Sequence, residues 1–236
     1  MSEQPPPTRT NDRLSWPLIL ALIVWIAVAV AGWYGISAYG FAGDPLATTD
    51  IVPQWPSDSA IGRMSERPTL VLFLHPQCPC SRATVAELER LPVLVPSEAL
   101  PDICVVASAP RAIGDLWWSS PSLNRSVRLP NAHIVRDSGG VETALFGARI
   151  SGTVLLFDAT GKRLYAGGVT MARGHAGDNV GLQAITDLLV DHGANVSTVP
   201  PLGCEMVREC REPEDAPPST SDSQARADQS VGGDPT

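Results

Sequence analysis

From Leu14 through Gly43 the chain carries no charged side chain. Within that stretch the 18 residues Pro17–Tyr34, PLILALIVWIAVAVAGWY, are almost wholly apolar. As a helix they rise about 27 Å, close to the hydrocarbon thickness of a bilayer. Trp16, Trp33, Tyr34 and Tyr39 sit at the two ends, where amphipathic rings prefer the interface. Pro17 falls in the first turn, where its missing N–H costs little. This pattern predicts a transmembrane helix over 17–36. Arg9 and Arg13 precede it, and on the far side Asp44 and Asp50 come before any basic residue. The positive-inside rule then places residues 1–16 in the cytoplasm and the rest in the periplasm or outside the cell. Ala29-Val30-Ala31 also satisfies the small-x-small pattern of a cleaved signal peptide. The helical length and aromatic exit belt favour an uncleaved anchor. Either reading exports the remainder to an oxidising compartment.

The rest divides by composition. Residues 37–67 read as a linker, with three prolines and little periodicity from Asp44 onward. Residues 211–236 hold six acids, two arginines, four prolines and no large apolar residue except Val231. Such a segment cannot offset its ordering entropy, so it is expected to be a disordered acidic tail. Net charge is −8 and no basic stripe is present, which argues against nucleic-acid binding. The folded unit is expected over 68–210.

Within that unit, strand and helix signals alternate. Thr69–His75 and Asp102–Ser108 are short continuous apolar runs, the mark of buried strands. Between them Ser81–Leu91 has helical spacing, with Glu87 and Glu89 outward. Residues 111–128 look helical or irregular, interrupted by Pro121. Ala132–Arg136 is a short strand and Val141–Phe146 a short helix. Thr153–Asp158 and Arg163–Val169 form a hairpin around Ala159–Lys162. Asn179–His192 is a final helix, with Asp178 or Asn179 as N-cap and Gly193 as C-cap. The order β-α-β-α-β-α-β-β-α predicts an α/β sandwich: a mixed central sheet with helices on its faces.

Five cysteines are too few for a disulfide-built scaffold, but Cys78-Pro79-Cys80 follows the first strand and opens the first helix. A helix N-terminus offers unpaired N–H groups and the positive end of the dipole, and both favour a thiolate. A thiolate of this kind attacks a partner disulfide, and a second thiol resolves the mixed disulfide. Cys78, at the outer edge of the motif, is expected to alkylate first, with Cys80 the more buried. Cys104 lies inside a strand and reads as a small hydrophobe. Cys204 and Cys210 form a candidate structural disulfide; alternatively one of them approaches the Cys-Pro-Cys site. In Arg173–Gly181, His175 and Asp178 either line a substrate surface or belong to a glycine-shaped turn and helix cap. Trp117-Trp118 reads as core packing, with an apolar partner patch as the alternative.

The order of elements, and three local features, resemble the thioredoxin superfamily over 68–192. Phe73–Ser81 is similar to its strand–motif–helix, with Cys78 in the place of the attacking cysteine. Phe146–Phe157 is similar to the loop and strand before its terminal hairpin, and Asp158–Gly168 to that hairpin. The string His75–Cys80 is also similar to small bacterial RedB-like membrane-anchored proteins. The resemblance implies a thioredoxin-like three-layer sandwich, thiol–disulfide exchange at Cys78 and Cys80 with no bound cofactor, protein thiols or disulfides as partners, and a substrate loop at Ser151 and Gly152.

The chain departs from that family in three places. Only one residue separates the cysteines. Gly152 stands where the family has a cis-proline, and Leu72 where it has a buried acid, for which His75 is a substitute unless it is simply a packed residue. Two further readings stay open: a copper-binding or metallochaperone module using Cys78, Cys80 and His75, and a catalytically silent interaction domain.

Overall fold

The computed structural model describes residues 15–63, 66–190 and 193–206. Arg9, Arg13, Cys210 and the acidic tail lie outside the described residues.

Helix α1 runs Trp16–Phe41, 26 residues with Pro17 in its first turn. At 1.5 Å per residue it is about 39 Å long. It is apolar on every face, and none of its residues is buried. Its most apolar window has a mean hydropathy of 2.3. It is long and apolar enough to cross a membrane, a test that a signal sequence also passes. It extends five residues past the expected end at 36, because nothing before Asp44 is charged or helix-breaking in its context.

The folded unit contains β1 (Thr69–Leu74), α2 (Pro79–Leu88), α3 (Leu91–Leu94), β2 (Asp102–Ala109), α4 (Pro121–Ser126), β3 (Ala132–Ser138), α5 (Val141–Leu145), β4 (Thr153–Phe157), β5 (Arg163–Gly167), α6 (Val180–Leu189) and β6 (Thr198–Val199). They build one six-stranded sheet in the order β3-β2-β1-β4-β5-β6. β1 pairs parallel with β2 and antiparallel with β4, β4 pairs antiparallel with β5, and β6 adds parallel to β5. The expected mixed sheet with helices on its faces is the observed architecture.

β1 is buried along its whole length, which is why its sequence is continuously apolar rather than alternating. Its side chains still point alternately to the two faces. Leu70, Leu72 and Leu74 join Val85 and Leu88 of α2, Leu123 of α4, and Leu182 and Ile185 of α6. Val71 and Phe73 join Phe146, Phe157, Ile51 and Ile61 on the other side.

That second cluster corrects the reading of 37–67 as a free linker. Ile51 and Ile61 are buried, and the Trp55 ring meets the rings of Phe146 and Phe157 edge-on at 5.1 Å each. The Glu142 carboxylate accepts from the Ser59 hydroxyl at 2.6 Å and the Ala60 N–H at 2.9 Å. The segment closes a face that α5 alone is too short to cover.

Other local differences have simple causes. Pro121 begins α4 instead of interrupting a helix, because Ser120 caps it by accepting from the Leu123 N–H and Pro at the first position lacks only a spare donor. Asn179, not Asp178, caps α6, accepting from the Leu182 N–H at 2.7 Å. β6 was not anticipated; two residues are too few to show a period.

Candidate functional site

The site is built where β1 hands over to α2. Leu74 ends the strand, and the Cys78 N–H donates to the His75 carbonyl at 2.9 Å, closing a tight turn. Cys78 is the N-cap of α2, in extended conformation, and Pro79 takes the first helical position. Cys80 and Ser81 follow in the first turn, both buried.

The loop before β4 holds this turn from the other side. The His75 N–H donates to the Ser151 hydroxyl oxygen at 2.8 Å, and the Ser81 and Ser151 hydroxyls are 2.8 Å apart. The Gly152 N–H donates to the Phe73 carbonyl at 2.8 Å. Ser151 and Gly152 therefore lie directly beside the Cys-Pro-Cys turn. Gly152 has φ +90°, and a Cβ there would come within 2.8 Å of the Thr84 hydroxyl oxygen. The positive φ favours glycine, and any larger residue would also have to displace the Thr84 side chain. No peptide bond among the described residues is cis.

A third strand of chain reaches the same place. After β6, residues 200–206 run back over the 149–151 loop. The Ser151 N–H donates to the Cys204 carbonyl at 2.8 Å, and the Met206 N–H to the Arg149 carbonyl at 2.7 Å. These two bonds pair Ile150 with Glu205 as an antiparallel bridge. They set the Cys204 sulfur 2.8 Å from the Cys78 sulfur. Cys204 carries a free thiol; its expected partner Cys210 lies outside the described residues.

Both cysteines of the motif are buried: Cys78 is 2% exposed and Cys80 9%, so the expected greater exposure of Cys78 is not what the structure has. The Cys204 sulfur lies against Cys78.

Arg173 ties the segment to the end of α1. Its guanidinium donates to the Gly203 carbonyl and to the Ala42 carbonyl, and lies 5.0 Å from the Tyr39 ring centre. Its main-chain N–H donates to the Gly40 carbonyl at 3.0 Å.

The three thiols are electrostatically distinct. Burial acts to raise the Cys78 thiol, but hydrogen bonds from the Cys204 thiol and from the main chain of Cys204, Cys80 and Ser81 outweigh it and hold Cys78 below its ordinary value. Cys80 is raised, first by burial and then by the neighbouring charge and hydrogen bond of Cys78. Cys204 is pushed up to about 12 by burial, then by its hydrogen bond to Cys78 and by the charges of Cys78 and Cys80, with Arg173 opposing. Cys78 is thus the most readily ionised of the three, while Cys80 and Cys204 are held more firmly as thiols.

No protein-family model matches this chain, and no curated protein sequence does. Solved structures do. A hypothetical protein from Sinorhizobium meliloti is similar at 15% identity and a TM-score of 0.51, over 68% of this chain and 96% of that one. An uncharacterized conserved protein from Geobacillus kaustophilus is similar at 18% identity and a TM-score of 0.50, over 73% and 95%. A thioredoxin-like protein solved in its oxidised form is similar at 16% identity and a TM-score of 0.41, over 60% and 97%. The sheet order, with the Cys-Pro-Cys turn at the N-terminus of the helix after the central strand, agrees with the expected topology. The fold is thioredoxin-like.

Around the thioredoxin-like core, the other candidates take structural places. The His75 ring meets the Trp117 ring at 4.7 Å, and its buried Nδ1 has no hydrogen-bond partner among the described residues. Burial lowers the His75 pKa, partly opposed by a backbone hydrogen bond. The Trp117 indole N–H donates to the Ser108 carbonyl at 3.3 Å, and Arg136 lies over Trp118 at 5.1 Å. Cys104 is fully buried in β2, where burial and the charge of Glu142 push its thiol up to about 12. Among the described residues no group of three or more His, Cys, Asp and Glu is arranged to hold a metal ion.

His175 is exposed and bonds the Arg173 carbonyl, while Asp178 pairs with Arg90 at 2.9 Å. The Arg173–Gly181 string is a shaped turn and helix cap, with one exception. Arg173 itself reaches the site, which no spacing in the sequence announces. Glu87 corrects another expectation: it is 1% exposed, not outward. Its carboxylate accepts from the Gly177 N–H at 2.6 Å and the Asn179 amide at 3.2 Å, and pairs with Arg90 at 2.8 Å. It anchors the loop that carries Arg173.

Proposed function

We propose that this chain is a membrane-anchored thiol–disulfide exchange protein of the cell envelope, with Cys78 as the attacking thiolate. The observation that carries this reading is the placement of Cys78: it is the N-cap of the helix that follows the central strand, and its sulfur lies 2.8 Å from a second thiol, that of Cys204. Its thiol is held below its ordinary value there. A thiolate so placed is the nucleophile of disulfide exchange. It attacks one sulfur of a partner disulfide, the partner's other sulfur leaves as a thiolate, and a second thiol of the site then displaces the partner. The substrates are protein thiols or disulfides. The Ser151–Gly152 loop is buried beneath the 200–206 segment, so it supports the motif from within and meets a substrate only when that segment moves aside.

The anchor is α1, read as uncleaved. Arg9 and Arg13 before the helix support a cytoplasmic N-terminus with the site across the membrane. The likeness of His75–Cys80 to RedB-like membrane-anchored proteins agrees with this arrangement. A reporter fused after the folded unit that works only in the cytoplasm would reject the topology.

The chemistry is tested on the full chain in detergent micelles, using an aryl disulfide that releases a coloured thiolate. Release at neutral pH that is abolished by Cys78→Ser is the expected result. Equal release from Cys78→Ser and the unaltered chain would overturn the reading. If the probe is untouched while Cu(I) protects Cys78 and Cys80 from alkylation, the copper-binding reading replaces it.

A further inference from the structure

We infer that Cys204, carried to the site by the returning C-terminal segment, is the thiol that resolves Cys78, so that the redox-active disulfide forms between Cys78 and Cys204 and not across the Cys-Pro-Cys motif. The inference rests on the thiol-exchange reading and adds a residue and a bond to it.

Geometry is the first support. The two sulfurs are 2.8 Å apart. A disulfide needs about 2.05 Å, so less than about 1 Å of closure separates contact from bond. The approach is set by main chain at Cys204 and just after it: the Ser151 N–H donates to the Cys204 carbonyl and the Met206 N–H to the Arg149 carbonyl. Gly203 makes it feasible, since a Cβ at that position would stand 1.8 Å from the Ser151 carbonyl oxygen. Arg173 holds the Gly203 carbonyl from the other side. Cys204 is thus aimed at Cys78 whether or not the sulfurs are bonded.

The motif itself is less suited to a bond. Cys80 belongs to the first turn of α2, and a bridge to Cys78 would close a small ring across Pro79, whose φ is fixed. A bridge from Cys78 to Cys204 spans 126 positions and needs no change in α2.

The electrostatics order the steps. While Cys78 is a thiolate, its charge and hydrogen bond help keep Cys204 protonated. The Cys78 thiolate attacks a partner disulfide, one S–S bond breaks, a Cys78–partner bond forms, and the partner's other sulfur leaves as a thiolate. The negative charge on Cys78 is now gone. Cys204 loses its proton to the departed thiolate, helped by Arg173. The Cys204 thiolate then attacks the Cys78 sulfur, and the remaining partner sulfur leaves as a second thiolate. The partner disulfide has gained two electrons, and Cys78 and Cys204 have lost them. Run in reverse, the oxidised pair delivers a disulfide to a partner dithiol, with the exposed segment of Cys204 as leaving group.

The experiment uses the full chain in micelles with Cys210→Ser throughout and the aryl disulfide as probe. The expected result is about two equivalents of aryl thiolate per chain from the parent, and about one from Cys204→Ser, which keeps an aryl adduct on Cys78 by mass. Cys80→Ser still releases the second equivalent. If Cys204→Ser releases both equivalents and Cys80→Ser retains the adduct, Cys80 is the resolving thiol and the assignment is overturned, while the exchange reading stands. If the parent itself releases none, both fall. Peptide mapping of the oxidised chain with Cys210 present gives a second readout. A Cys78–Cys204 cross-link supports the assignment, and a Cys204–Cys210 cross-link overturns it.

Discussion

The main-chain N–H of Ser151 donates to the Cys204 carbonyl at 2.8 Å. The same residue's hydroxyl accepts from the His75 N–H and contacts the Ser81 hydroxyl. One buried serine therefore joins the end of β1, the first turn of α2 and the returning segment. Its role is divided: the hydroxyl serves the motif and the main chain serves Cys204.

Ser151→Ala separates the two. It strands the His75 N–H and removes one of two partners of the Ser81 hydroxyl, which keeps its bond to the His75 carbonyl at 3.3 Å. The stranded donor costs about 1–3 kcal/mol. The bond to Cys204 uses main chain and survives. Denaturation in micelles should show the loss of stability, while oxidation still yields the Cys78–Cys204 cross-link.

Gly203→Ala should do the reverse. The added Cβ would clash with the Ser151 carbonyl and lift the segment without altering any thiol. A loss of about 1.4 kcal/mol in the docked state raises its open population about tenfold. The expected outcome is faster alkylation of Cys78 at unchanged global stability, read by timed mass spectrometry. An unchanged rate would show that the segment does not shield Cys78.

Glu87→Gln removes a buried charge that two donors of the 177–179 loop and Arg90 satisfy. Hydrogen bonds to charged groups are worth about 1.5–3 kcal/mol each, and the amide recovers only part of this. Amide exchange at Gly177 should accelerate, and Arg173, carried by the same loop, should lose its hold on Gly203.

Cys104 predicts a pH dependence. Its folded thiol is raised to about 12 from an ordinary 9.0. Above pH 9.0 the unfolded chain loses this proton while the folded chain keeps it, so the unfolded state binds fewer protons and stability falls as pH rises. The slope is at most about 1.4 kcal/mol per pH unit. Denaturation midpoints just above pH 9 should fall less steeply for Cys104→Ala than for the unaltered chain.

Some elements were legible because one-dimensional patterns carry them. β1 and β2 are buried on both faces, so their apolar runs are unbroken. The start of α2 is marked by Pro79, and that of α6 by Asn179. Glu87 was misread because a charged residue on an amphipathic helix is ordinarily solvated. Its donors come from a loop 90 positions away and leave no local trace. The buried role of 44–63 was hidden for a related reason: Ile51, Trp55 and Ile61 are too widely spaced to show a period, and they meet only on the face of a finished sheet.

The sequence by itself determined an apolar helix able to cross a bilayer, a mixed sheet flanked by helices, and a cysteine at a helix N-terminus after the central strand. These follow from runs, periods and caps, which act over a few residues. Only the tertiary structure decided which thiol faces Cys78. Cys204 lies 126 positions away, and its place depends on β6 joining β5, on a glycine with no Cβ against Ser151, and on two main-chain bonds to the 149–151 loop. Main-chain bonds and close backbone approach are nearly independent of side-chain identity, so the sequence that makes them gives no sign of where they form.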